Sequence, residues 1–405
     1  MKKLLASMAI FLLPVAGFAQ YTNVIDFGDS LADSGNPYLT DKKGNNNWVQ
    51  FCIHRGSWCS KDNPLYLLGA PIVNKTPDFS NQRANWVNYF DKSYGYGTVM
   101  PYRIYHNVPK QYMNLSTQNL SFAYASSESY NRYVDDLHPS SPTLPYNPYN
   151  NACKSPSNNP KIQNSCVPGL YSQIDLYKKM FQSAGIANTD EHTLYFIWSG
   201  GNGIFDNIGK LAVLVKQKKF ASLLVGLAAL HHDCVNGNKH FVTFGNTTLS
   251  CPANNVAYSV KYLVDSGVNP HDIVVFNMAN IANTPAAYHL SGGNKMMLKL
   301  FQGIANQFNQ NLAHMLDTLG LKRVRIFDTY ALLDAIMHNL SKYHFSTMTK
   351  QTQMSCVGQH GGSAEDCYAF IWYNEKHPSA HTGKCIANSL NLFISGKDPI
   401  TNLKC

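Results

Sequence analysis

The stretch Asn23-Val24-Ile25-Asp26-Phe27-Gly28-Asp29-Ser30-Leu31-Ala32-Asp33-Ser34-Gly35-Asn36 decides how the rest of the chain is read. Its first five residues form a mainly apolar run of one strand's length. Glycine then permits a tight turn, and a serine hydroxyl follows just past the strand end. A helix starting beyond it would aim backbone N–H groups and its positive dipole end at that point. Taken alone, a serine after a strand is most often a helix cap. Outward from it, short apolar runs recur at 120–125, 193–198, 272–278 and 324–328, and helical spacing marks 171–184, 257–265 and 296–319. This alternation predicts an α/β fold with a mainly parallel sheet. In such sheets chemistry gathers at the carboxyl ends of the strands, where Ser30 falls.

Three stretches break the alternation: 37–81, 130–168 and 342–367, rich in Asn, Pro, Ser, Gly and Tyr and holding six of the ten cysteines. They read as surface insertions pinned by disulfides, and loops this long inside a compact domain usually cover or regulate a site. The cysteines fall in sequence-local pairs: Cys52 with Cys59, Cys153 with Cys166, Cys234 with Cys251, Cys356 with Cys367, and Cys385 with Cys405. Each pair would close a short loop, although spacing alone leaves the connectivity open. The nearest approach to a metal-ligand cluster is His231-His232-Asp233-Cys234, but no CxxC or HExxH spacing occurs, and neither metal nor cofactor is expected.

The chain has 405 residues, 44% of them apolar, which is enough for a sizeable core. Only 14% are charged, against roughly 25% in an average soluble protein. With 12% aromatics, this excludes a disordered or coiled-coil chain. Residues 1–19 read as a secretory signal peptide: Lys2 and Lys3 start it, the apolar stretch 4–13 is too short to span a bilayer, and Gly17-Phe18-Ala19 supplies small residues for cleavage. The remainder, 20–405, reads as one domain with insertions, secreted to an extracellular or periplasmic space. An even cysteine count suits that oxidising compartment. The formal charge of +9 falls to +7 once the two signal lysines are subtracted. With no Lys/Arg block, no nucleic-acid partner is expected; a mildly basic surface suits anionic lipid or polysaccharide.

Gly28-Asp29-Ser30-Leu31, extended to Asp33-Ser34-Gly35-Asn36, resembles the first block of the GDSL (SGNH) esterase/lipase family. Trp198-Ser199-Gly200-Gly201-Asn202-Gly203-Ile204-Phe205 resembles the third, with Gly203 where an aspartate is usual. His377-Pro378-Ser379, followed by His381, Gly383 and Ala387, resembles the last. The blocks stand in the family's order and span almost the whole chain beyond the signal. The resemblance implies a flavodoxin-like three-layer fold, Ser30 as nucleophile and His377 as base. It also implies an oxyanion hole from the N–H groups of Ser30 and Ser126 and the side chain of Asn202. Ser126, in Ser121-Phe122-Ala123-Tyr124-Ala125-Ser126-Ser127, stands where the family has glycine.

A second departure bears on mechanism. The family places an aspartate three residues before the histidine, and here that residue is Asn374. An asparagine carbonyl can orient the imidazole but cannot stabilise its charge, and in a serine protease that exchange costs roughly 10⁴ in turnover. Asp366, Glu375 or a bound anion are alternatives for the role, and a site without turnover is another. His381 reads as a packing or surface residue, and Asp29 and Asp33 as residues holding the loop.

The opening block resembles those of the family's secreted bacterial phospholipases, lysophospholipases and glycerophospholipid:cholesterol acyltransferases. The resemblance therefore implies hydrolysis of (lyso)phospholipid acyl esters, with cholesterol as an alternative acyl acceptor. The apolar run 220–230 follows Lys216-Gln217-Lys218-Lys219 and reads either as a membrane-surface contact or as a core helix. The loops 153–166 and 234–251, with Lys154, Lys161 and Lys239, are the expected targets of an activating protease. An esterase of acylated polysaccharide, its tyrosine-rich insertions stacking on sugars, and a lipid- or glycan-binding family member without turnover are the alternative functions.

Overall fold

Asn23 to Gly28 are buried at all six positions, and the strand they form pairs in parallel on both sides. Such continuous burial is what a strand covered on both faces requires. In the computed structural model, the described residues are 21–33, 85–94, 100–101, 119–123, 127, 129, 169–183, 192–216, 234, 239–244, 247–346, 355–356 and 367–405. Their strands, in chain order, are β1 (Asn23–Gly28), β2 (Met100–Pro101), β3 (Leu120–Ser121), β4 (Thr193–Trp198), β5 (Phe241–Phe244), β6 (Thr247–Ser250), β7 (Ile273–Phe276) and β8 (Arg325–Phe327). Their helices are α1 (Trp86–Tyr94), α2 (Leu170–Ser183), α3 (Gly201–Lys216), α4 (Pro252–Asp265), α5 (Pro285–Ser291), α6 (Lys295–Thr318), α7 (Thr329–His338) and α8 (Ala380–Ile394).

The main sheet runs β2-β3-β1-β4-β7-β8, and every pairing in it is parallel. β5 and β6 form a separate antiparallel hairpin. Leaving aside the two-residue β2, the order is 2-1-3-4-5, that of a doubly wound sheet whose direction of winding reverses between β1 and β4. The protein is thus a three-layer α/β molecule. Ile25, Phe27, Tyr195, Ile197, Ile273 and Val275 face a core built with α2, α3, α4 and α6. The alternate residues Val24, Leu194, Phe196, Trp198, Val274 and Phe276 face α1, α7 and α8. The period-2 alternation of strand side chains produces both cores from one sheet.

Capping follows local chemistry. Asn294, Asp328 and Ser379 each accept a backbone N–H at the start of α6, α7 and α8, and Pro252 occupies the first turn of α4. Cys234–Cys251, Cys356–Cys367 and Cys385–Cys405 are bonded as paired above. Cys52, Cys59, Cys153 and Cys166 lie outside the described residues, as do residues 1–19, the run 220–230 and all of 37–81 and 130–168. No helix among the described residues is long and apolar enough to cross a membrane.

Two expectations need correction. The third stretch, 342–367, is not surface throughout: Tyr343 and Phe345 are buried against the α7–α8 side of the sheet, because their rings complete that core. Of the run 120–125, Leu120–Ser121 form strand and Phe122–Ala123 do not, although Phe122 still donates its N–H to Asp26 O; 124 and 125 lie outside the described residues.

Candidate active site

β1 and β4 end side by side, with Gly28 opposite Trp198 in register. Gly28 has φ +153°, and a Cβ there would lie 2.1 Å from the Trp198 carbonyl oxygen, so only glycine lets the two strands finish this close. Asp29 then donates its N–H to that same carbonyl at 3.1 Å. The turn past the strand is held by Asp29: its Oδ1 accepts the Leu31 N–H at 3.0 Å, and its carbonyl accepts those of Ala32 and Asp33. Ser30, half-buried at the top of this turn, is thereby presented at the crevice where the winding reverses.

The histidine comes from the other end of the chain. Tyr373 N–H donates to His377 O at 2.8 Å, closing a tight loop immediately before α8. Inside that loop Asn374 Oδ1 accepts three protons, from Lys376 N at 3.0 Å, His377 N at 2.9 Å and His377 Nδ1 at 2.8 Å. Because two of those donors are backbone N–H groups, the amide oxygen, and not its nitrogen, must face the ring. The ring therefore carries its proton on Nδ1 and offers Nε2 as an acceptor, which stands 2.5 Å from Ser30 Oγ. Burial, aided by the neighbouring Lys376 charge, pushes the His377 pKa down to about 3, so the imidazole is neutral at ordinary pH.

Asn202, second residue of α3, donates its Nδ2 to Ser127 O at 2.8 Å and lines the same pocket as Ser30 and His377. Gly200, at φ +113°, lets Gly201 and Asn202 begin the helix beside Asp29. The Ser30 N–H makes no hydrogen bond with the described residues and is available to an incoming oxyanion. Ser126 lies outside the described residues; its neighbour Ser127 is buried beneath Asn202. The pocket holds about 70 Å³, with Phe205, Met278, Ile281, Leu333 and Trp372 as apolar walls, and Lys376 Nζ lies over the Phe205 ring.

The other candidates sort themselves by position. Glu375 is turned away and pairs with His289 Nδ1 at 2.9 Å. Asp366 lies outside the described residues. His381 is a packing residue, buried between the rings of Tyr368 and Phe345 with Nδ1 on Tyr368 O. Cys234, last of the His-His-Asp-Cys cluster, is in a disulfide. One residue escaped sequence reasoning. Gln173 on α2 accepts the Gly28 N–H at 2.9 Å and donates to Gly28 O at 2.8 Å and Ser127 Oγ at 2.9 Å. It ties the strand end under Ser30 to the segment under Asn202, and a lone glutamine in an amphipathic helix carries no motif to announce that.

No protein-family model and no curated protein matches this chain.

Proposed function

We propose that this chain is a secreted serine hydrolase of the GDSL (SGNH) type that cleaves acyl esters of (lyso)phospholipids. The observation that carries the proposal is the relay from Asn374 Oδ1 through His377 to Ser30 Oγ, at 2.8 and 2.5 Å. A hydroxyl, a neutral base and an orienting group in line are what nucleophilic catalysis requires. Ser30 Oγ attacks the ester carbonyl as its proton passes to His377 Nε2, and the imidazolium then protonates the leaving alcohol. Water repeats the sequence on the acyl-enzyme and releases the fatty acid; a sterol hydroxyl in place of water would give a sterol ester. The Ser30 N–H and the Asn202 amide hold the oxyanion. Asn374 fills the orienting role, since Glu375 is engaged elsewhere. The apolar walls around a small reacting pocket favour an acyl ester over a sugar ester, and three disulfides suit an oxidising compartment.

The test is mass spectrometry of free fatty acid and cholesteryl ester from lysophosphatidylcholine vesicles containing cholesterol, with Ser30→Ala as control. Ser30-dependent product supports the proposal, and the product ratio separates hydrolase from transferase. A chain that neither releases fatty acid nor takes a fluorophosphonate label on Ser30 would be a binding protein instead.

A further inference from the structure

Among the described residues a second cavity lies apart from the one at Ser30. It measures about 330 Å³ against about 70 Å³, and it opens between α3, α4 and α6. On α3 it is lined by Ile204 and Ile208, whereas the catalytic pocket takes Asn202 and Phe205. At about 100° per residue, Ile204 and Asn202 point to opposite sides of the helix, so α3 separates the two cavities.

The walls of the larger cavity are apolar: Ile204, Ile208, Leu300, Ile304 and Phe308. At its edge Ser250 Oγ and Asn254 Oδ1 are buried without a hydrogen-bond partner among the described residues, while other polar groups are engaged with one another. Asn207 donates Nδ2 to Ser250 O and accepts the Ser250 N–H, both at 2.9 Å, and Gln307 donates to Asn311 Oδ1 at 2.6 Å. Among its lining residues Lys299 alone carries a charge, and that exposed ammonium has no carboxylate partner among the described residues. Gly303 adds an independent mark. It stands in the interior of α6 without a positive φ, and a Cβ there would meet nothing within 4 Å. Neither close packing nor backbone strain calls for glycine, a poor helix former, at this place. Any larger side chain would stand in the mouth of the cavity.

We infer that this cavity binds a single-chain amphiphile with an anionic head: a fatty acid whose chain lies against Ile204, Ile304 and Phe308 and whose carboxylate meets Lys299. At about 30 Å³ per water-sized unit, the volume accepts a chain of roughly ten to twelve carbons. The apolar side chains of Ile204, Ile208, Leu300, Ile304 and Phe308 along its walls favour a plain alkyl chain. The site lies apart from the ester chemistry and does not depend on it.

The experiment is titration calorimetry of sodium dodecanoate, below its micellar concentration, into the full chain carrying Ser30→Ala. One molar equivalent is expected to bind. Gly303→Phe should weaken binding more than about tenfold, with an unchanged melting temperature as its folding control. Lys299→Ala should weaken dodecanoate roughly three- to fivefold, as for an exposed ion pair, and leave dodecanol unaffected. In parallel, a diazirine-bearing fatty acid is photolysed on the unaltered protein and the label mapped, which decides the matter even where Gly303→Phe does not fold. Label on peptides containing 204–208 and 299–308 supports the site. Label confined to the surroundings of Ser30 and His377, absence of binding, or a folded Gly303→Phe that binds as tightly as its parent would overturn it. A failure of ester hydrolysis leaves these readouts unchanged, so the two proposals fall separately.

Discussion

Replacing Asn374 by aspartate isolates what the third member of the relay contributes. The carboxylate would sit where Asn374 Oδ1 now accepts from Lys376 N, His377 N and His377 Nδ1, all within 3.0 Å. A carboxylate receiving that many N–H donors stays ionised to low pH. An anion this close raises a histidine pKa by about 1–3 units, and each unit is worth about 1.36 kcal/mol. His377, now held down at about 3 by burial and Lys376, would rise accordingly and become a stronger base. If that difference is expressed in the transition state, turnover increases about 10- to 10³-fold. The ceiling lies below the roughly 10⁴ of a serine protease whose acid is exchanged for asparagine, because there the wrong tautomer adds to the loss. Here the tautomer is already held. The assay is the pH profile of kcat/KM for fatty-acid release from lysophosphatidylcholine by Asn374→Asp and its parent. The variant should be faster, with its acid limb moved upward by 1–3 units. A folded Asn374→Asp with an unchanged rate and an unmoved acid limb would refute a developing charge on His377 in the rate-limiting step.

Other expectations follow from particular contacts. Asn202→Ala removes the side-chain donor beside Ser30 and should lower kcat about 10²–10³-fold with little change in KM, read by steady-state kinetics; an equal loss through KM alone would contradict the oxyanion role. Gln173→Leu strips three buried hydrogen bonds from Gly28 and Ser127, and at about 1–3 kcal/mol for each buried group left unsatisfied the urea midpoint should fall markedly. Asp91 on α1 has both carboxyl oxygens buried without a hydrogen-bond partner among the described residues, and burial, then the nearby Asp26, raises its pKa well above the ordinary range. The native state therefore holds a proton that the unfolded chain releases near pH 3.9, so stability is greatest at low pH and declines as pH rises through the native value. Asp91→Asn should flatten that decline, with a gain of about 1–3 kcal/mol at its alkaline end, measured as urea midpoints across pH; a parallel pair of curves would contradict the assignment.

The parts of the fold that were legible are those whose signal is local. β1 and β4 are mainly apolar runs with glycine at or just past their ends, and the site stands on those two strand ends because the winding reverses between them. α6 shows its helical period over 24 residues and was read to within a residue at each end. What escaped depends on contacts across the chain. Gln173 acquires its role only once α2 lies under Gly28 and Ser127, 145 and 46 residues away in sequence. α1 follows the Asn- and Pro-rich stretch 37–81, and Trp86 shows itself as a core residue only when its ring packs on Phe196 and Phe276. Tyr343 and Phe345 likewise look like loop residues until the sheet face behind α7 and α8 needs them.

Asn374 lies between these extremes, and its geometry explains how the relay keeps its shape without an acid. Its Oδ1 reaches the N–H groups two and three residues ahead, at Lys376 and His377, which is the local turn that asparagine and aspartate make equally well. The loop is further closed by the Tyr373–His377 backbone bond, to which the side chain contributes nothing. Exchanging the acid for its amide therefore leaves the carbonyl oxygen on Nδ1, the proton on that nitrogen and Nε2 on Ser30. Positioning and charge, which one aspartate would supply together, are separated here: the turn supplies the first, and only the second is missing. That separation is why the sequence alone favoured Asn374 as orienter and still left a substitute group or a silent site open. It is also why Asn374→Asp tests the charge at His377 with little disturbance of anything else.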